Sequence, residues 1–206
     1  MFRGWAEGPL APGPKGIIRR VIGDRDRDRR RALLQALGSY RAEEPDDEAR
    51  LGRFRSFLAR ADPFRRTDPD GHVTASAIVT RPAGDAVLLV SHRKLGGWLQ
   101  PGGHVDPDDR SVFDAAVREV REETGVDRPE APCGDAILDL DVHPIPAFGE
   151  EPAHVHYDVR FLLTSADGSR PAGGAAWFPV DAIPGLDRDG SLERAVRKAI
   201  SRLSTR

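Results

Sequence analysis

A single cysteine, Cys133, excludes any internal disulfide framework and fits a reducing compartment. Lysine is nearly as scarce. Lys15, Lys94 and Lys198 are the only ones, so almost all positive charge rests on arginine. The formal net charge of −2 gives no global attraction to nucleic acid. Long apolar runs are missing too: none approaches the roughly 20 residues needed to cross a bilayer. The opening MFRGWAEGPLAPGPKG also lacks the apolar stretch of a secretory signal. These absences set the expectation of a cytoplasmic protein that works without membrane or nucleic acid.

What is present suits one compact domain with an extension, since a domain takes roughly 100–200 residues and the chain has 206. Glycines and prolines crowd the first sixteen residues, and residues 1–20 are expected to be disordered. Residues 21–66 are expected to form a helical extension. DRDRDRRRALLQALGSY reads as a short helix ending at Gly38, with its interleaved charges on a solvated face. A second helix starts at Pro45-Asp46-Asp47-Glu48 and carries Leu51, Phe54, Phe57 and Leu58 on one face. This extension is expected to be dispensable for chemistry and to serve packing or homodimer formation.

From residue 67 to 206 the pattern changes. HVTASAIVT and AVLLVSHR read as a hairpin, followed by a glycine-rich stretch and a helix from Ser111 to Thr124 closed by Gly125. CGDAILDLDVHPI, HVHYDVRFLLT and AAWFPV read as further strands, and a last helix runs from Ser191 to Leu203. Strands interrupted by one helix and closed by another predict a mixed α+β layer fold.

Chemistry concentrates in GGHVDPDDRSVFDAAVREVREETGV, residues 102–126. On a helix, Phe113, Ala116, Val117 and Val120 share a core-facing stripe, while Glu119, Glu122 and Glu123 form a second stripe at its border. Like charges at these spacings repel, each contact costing a few tenths of a kcal/mol. A hard divalent cation offsets that cost, because Mg²⁺ is held by a few carboxylates, water and substrate phosphates. A glutamate pair alone is ordinarily solvated surface. Here a diglycine turn, Gly102-Gly103, allows close backbone approach and offers a carbonyl ligand. Arg118, four residues before Glu122, can hold that carboxylate.

These residues resemble the Nudix signature: a glycine, five residues, a glutamate, seven residues, then Arg-Glu-aliphatic-x-Glu-Glu-x-Gly-aliphatic. Arg118 through Val126 matches the second half at every specified position. The first half departs twice. Asp109 stands where glutamate is expected after Gly103, and eight residues rather than seven separate Asp109 from Arg118.

The resemblance implies a Nudix-like mixed β-sheet sandwiched between helices. It also implies a hydrolase that cleaves a phosphoanhydride bond in a nucleoside diphosphate-linked or other small diphosphate substrate. By the same resemblance Glu119 and Glu123 are the main ligands of Mg²⁺ or Mn²⁺. Glu122 is a ligand that also helps activate water, a carbonyl of Gly102 or Gly103 completes the set, and Arg118 orients it. Two other activities occur on this fold. One is isopentenyl-diphosphate isomerisation, which needs a pocket cysteine that Cys133 does not match by motif. The other is non-catalytic ligand sensing, which commonly goes with loss of the carboxylates retained here.

Around this segment, Arg93 and Lys94 are candidate phosphate contacts, and Gln100 and His104 candidate substrate contacts. His154, His156 and Asp158 fall on one strand face, with His156 and Asp158 expected to face substrate. Asp158, Glu150 and Glu151 could supply an extra carboxylate. Two histidines at this spacing suggest zinc, but nothing nearby in sequence completes a tetrahedral set. His72, His92 and His143 are read as structural or rim residues, and Trp98 as a core or rim aromatic.

Overall fold

The structure, a computed structural model, describes residues 14–59, 62–92, 96–149, 152–165, 171–172, 174–187 and 189–205. Helix α1 spans Pro14–Ser39 and α2 spans Asp47–Leu58. Residues 14–20, expected to be disordered, are thus helical, while residues 1–13 lie outside the described residues. The sequence past Gly16 explains the longer helix. No proline follows until Pro45, and pairs such as Asp24–Arg27 (2.8 Å) and Asp28–Arg31 (3.0 Å) brace its exposed side at i,i+3. Leu33, Leu37 and Tyr40 turn inward to meet Leu51, Phe54, Phe57 and Leu58 of α2. That cluster continues without a break into Val73, Ala75, Leu140 and Val159 of the sheet. The extension is therefore part of the core.

Among the described residues, seven strands form one mixed sheet: β1 (His72–Thr80), β2 (Ala86–His92), β3 (Gly97–Leu99), β4 (Gly102–His104), β5 (Ile137–Ile145), β6 (His154–Thr164) and β7 (Ala175–Pro179). β6 runs parallel to β1 along its whole length, from His72 opposite His156 to Thr80 opposite Thr164. The other edge of β1 is shared. β2 pairs with it at Val79 and Thr80, and β4 pairs with it from Thr74 to Ser76. The glycine-rich stretch, with its diglycine step read as a turn, is thus built into the sheet as β3 and β4.

Alternation along β1 sends side chains to two layers. Ala77 and Val79 pack with Val120 of α3 (Val112–Thr124). Ile78 packs, with Val87 and Leu89, against Ala195, Val196 and Ala199 of α5 (Ser191–Ser204). A short 3-10 turn, Val180–Ala182, and α4, Ile183–Leu186, lead into α5. The α3 boundaries follow from its ends. Ser111 caps the start by accepting from the Asp114 amide at 3.0 Å, and Gly125 ends it at φ 74°, a conformation that favours glycine.

A buried ion network ties the layers together. Lys198 of α5 donates to Asp47 of α2 at 2.7 Å, to Asp139 of β5 at 2.6 Å and to the Tyr40 hydroxyl at 3.0 Å. Arg160 of β6 extends the chain of charges from Asp139 and Asp141 to Asp158.

Candidate functional site

A cleft of about 440 Å³ opens where β4 meets α3 and the first half of β1. Its lining includes Gln100, Gly102, Gly103, His104, Glu119, Glu123, His156 and Asp158, all singled out from the sequence. It also includes Arg66, Thr74, Ser76, His92, His143, Phe148 and His154. Arg93, Lys94, Glu150 and Glu151 lie outside the described residues.

The diglycine step brings strand and helix into contact. A side chain at Gly102 would collide with Ser76, its Cβ falling 2.3 Å from the Ser76 Cβ and 2.7 Å from the Ala75 carbonyl oxygen. At Gly103 an added Cβ would lie 2.5 Å from Oε1 of Glu119. The Gly102 amide donates to Oε2 of Glu123 at 3.0 Å. Both carboxylates are thus seated against bare backbone. Burial pushes the Glu119 carboxyl above its ordinary range, Arg118 opposes the rise, and Glu123 and Glu122 add to it. Burial likewise raises Glu123, against the Gly102 amide, with Glu122 adding. Two half-desolvated acids side by side make a site of high affinity for positive charge.

Arg118 stands behind this pair. It donates to both oxygens of Asp109, from Nε at 3.1 Å and Nη2 at 3.0 Å. Its other contacts are Oε1 of Glu119 at 2.8 Å, Oε2 of Glu122 at 3.1 Å and the His104 carbonyl at 2.9 Å. The Asp109 hydrogen bonds, followed by Glu119, hold the guanidinium firmly protonated. Glu122 differs from its neighbours: its side chain is 60% exposed, and it is absent from the cleft lining among the described residues.

The role of Asp109 escaped the sequence reading because the extra residue breaks the signature at that point. The loop absorbs the insertion. Asp109 is buried, accepts from the Asp106 amide at 2.7 Å and still meets Arg118. Arg29 of α1 buttresses the same loop, donating to the carbonyls of Asp106 and Asp109.

Asp158 lies on the cleft floor with its carboxylate already engaged. It accepts from Thr74 (3.1 Å), Ser76 (2.7 Å), Gln100 (3.5 Å) and Arg160 (3.1 Å). Such a carboxylate organises its neighbours better than it removes protons. Trp98 meets Phe178 edge-on at 4.7 Å within the core cluster of α5, and Cys133 packs half-buried beside the same cluster. Neither is among the cleft-lining residues.

At the far end, five of the six histidines gather: His72, His104, His143, His154 and His156. Burial, followed by repulsion from His104 and His154, lowers His72 to about 4. Burial and the surrounding histidines lower His156 to about 2. Both rings are neutral near pH 7.

A family model described as the NUDIX domain matches residues 70–199. The chain belongs to the Nudix family. Its Nudix domain begins within two residues of β1 and includes the cleft strands, α3 and most of α5. One relative, from Bacillus subtilis (strain 168) and provisionally named an 8-oxo-dGTP diphosphatase, is 32% identical over 98 residues. That alignment covers 48% of this chain and 60% of the relative, so the chain spans less than two thirds of that protein. An uncharacterized Nudix hydrolase of the same organism, YvcI, is 45% identical over 42 residues, covering 20% of this chain and 26% of the relative. Among solved structures, the chain is similar to the dihydroneopterin triphosphate pyrophosphohydrolase of E. coli (TM-score 0.48, 16% identity, covering 63% of this chain and 95% of that one). It is also similar to the Ap4A hydrolase of C. elegans (TM-score 0.44, 20% identity, 64% and 97%). Neither structural likeness bears on substrate.

Proposed function

We propose that this Nudix-family chain is a divalent-metal-dependent hydrolase that cleaves the phosphoanhydride bond of a nucleoside diphosphate-linked or other small diphosphate compound. The observation that carries this reading is the seating of Glu119 and Glu123, half-buried and adjacent, against Gly103 and the Gly102 amide on the wall of a cleft. Two hard oxygen donors with raised proton affinity, beside glycine backbone, suit Mg²⁺ or Mn²⁺. Glu119, Glu123 and a carbonyl of Gly102 or Gly103 would hold the ion, with Glu122 at the mouth as a further donor. When bound, the ion supplies positive charge to the phosphoryl oxygens and eases deprotonation of water.

The protein's own part is positioning. Arg118 fixes Glu119 and draws Glu122 toward the same helix face, and Asp109 fixes Arg118. Gln100 from the β3–β4 connection and His104 and His156 from the strands would present polar groups to the substrate, and Arg66 adds a cation at the rim. Arg93 and Lys94 remain proposed phosphate contacts. A cleft of this volume falls within the roughly 300–1,000 Å³ of small-molecule sites, which favours a free diphosphate compound over a polymer. Retention of all three helix glutamates favours hydrolysis over ligand sensing.

The test is a substrate panel. Nucleoside triphosphates, dinucleoside polyphosphates, ADP-ribose, nucleotide sugars and prenyl diphosphates are incubated with Mg²⁺ or with chelator, and phosphate or monophosphate release is measured. Mg²⁺-dependent release from at least one class is expected; no release from any class contradicts the reading.

A further inference from the structure

The sequence offered two histidines, at 154 and 156, and no partners for them. The fold supplies a third. Parallel pairing of β1 with β6 sets His72 directly opposite His156. The ring nitrogens of His72, His154 and His156 include one atom each that lie within 4.8 Å of one another. Nε2 of His154 and Nε2 of His156 are 3.1 Å apart. Two imidazole nitrogens bound to one tetrahedral ion at the usual 2.0–2.1 Å sit about 3.3 Å from each other.

Two details set these rings up as ligands. Nδ1 of His154 is 2.9 Å from the Pro152 carbonyl, and since a carbonyl can only accept, that nitrogen carries the proton. Nε2 is thereby left with its lone pair toward His156, an arrangement that orients metal-ligating histidines generally. His72 is 1% exposed, and among the described residues neither of its ring nitrogens has a hydrogen-bond partner. Leaving such a group unsatisfied is destabilising, and a metal bond removes part of that cost.

We propose that His72, His154 and His156 form a three-histidine site for a transition-metal ion of the Zn²⁺ class, separate from the carboxylate site on α3. Imidazole nitrogens select Zn²⁺, Ni²⁺ or Cu²⁺, whereas Mg²⁺ requires oxygen. The places differ as well. Glu119 and Glu123 meet the glycine step opposite Ala75 and Ser76, three and four residues along β1 from His72, or roughly 10–13 Å of strand. His154 and His156 line the cleft, so a fourth ligand to an ion held there would come from the cleft side. Three histidines with an open fourth position is the pattern of ions that touch a substrate or water.

The test uses the full-length chain, stripped with chelator and loaded with Zn²⁺ or Co²⁺ in a large excess of Mg²⁺. After dialysis about one equivalent should be retained per chain, with the visible spectrum of tetrahedral Co²⁺. The Glu119→Gln/Glu123→Gln double variant should retain it equally. His154→Asn and His156→Asn should lose affinity by more than the roughly 10–100-fold that outer-shell changes cost. Pulsed EPR of Cu²⁺-loaded wild-type protein counts bound imidazoles without any substitution, and three are expected. No retention by wild type, undiminished retention in both histidine variants, or fewer than three coordinated imidazoles would overturn the site.

Discussion

Gly103 leaves no room for a side chain beside Glu119: an added Cβ would stand 2.5 Å from the carboxylate oxygen. The colliding atom is the far end of a flexible side chain, so the fold can yield by displacing Glu119. Gly103→Ala should therefore keep its melting temperature within a few degrees while losing most of its metal-dependent turnover. Gly102→Ala meets the Cα and Cβ of Ser76 and the Ala75 carbonyl, which cannot step aside. It should be poorly folded. Thermal melts and turnover of the two variants, measured together, check this division; an active Gly103→Ala enzyme contradicts it.

Arg118 binds Asp109 through two nitrogens, a geometry a lysine cannot reproduce. Arg118→Lys and Asp109→Asn should each reduce kcat by roughly 10–100-fold, as loss of an outer-shell partner does, with a much smaller change in melting temperature. A rise in KM alone, with kcat intact, would place these residues in substrate binding rather than in the chemical step.

The helical extension is bound to the core by Leu37, Phe54 and Leu58 and by the Asp47–Lys198 pair. Burial of each large apolar side chain contributes about 1.5–3 kcal/mol. A chain started near Arg66 should aggregate or fail to fold, so that the extension, expected to be dispensable for chemistry and to serve packing or homodimer formation, could not be removed without loss of the fold. Burial works against charge on Asp47, yet Lys198, Arg50 and two backbone amides hold its carboxyl far below the usual range. Asp47→Ala leaves Lys198 buried with fewer partners and should cost about 3–5 kcal/mol in denaturant unfolding.

Acid should weaken the metal-free protein early. His72 is lowered to about 4 and His156 to about 2 by burial and neighbouring histidines. The unfolded chain takes up these protons near pH 6.5, and the folded chain does not until much lower pH. Between those values the unfolded state binds more protons, so stability is full above pH 6.5 and declines as pH falls toward 4. Melting temperatures of chelated protein at pH 7.5 and pH 5 should differ by several degrees; equal values would mean these rings are accessible.

Local pattern made much of this legible. β1 and β6 are legible as runs rich in β-branched and aromatic residues with polar positions interleaved, and α3 is marked at both ends by Ser111 and Gly125. The three glutamates are visible as a stripe, though the stripe does not reveal that Glu122 is largely exposed while its neighbours line the cleft. What stayed hidden depends on contacts distant in sequence. β4 exists because Gly102 and Gly103 fit against β1, not because of any strand propensity. Asp109 finds Arg118 across a loop whose extra residue spoils the spacing. Partnership of His72 with His156 rests on parallel pairing across 84 positions, which no local periodicity reports.

The most direct test of the account is the Mg²⁺ dependence of turnover in Glu119→Gln and Glu123→Gln, each verified as folded by circular dichroism. With any substrate the wild type cleaves, both variants should fall by roughly 100-fold or more at saturating Mg²⁺. Turnover within a few-fold of wild type in both would contradict the assignment of these two carboxylates as the seat of the metal.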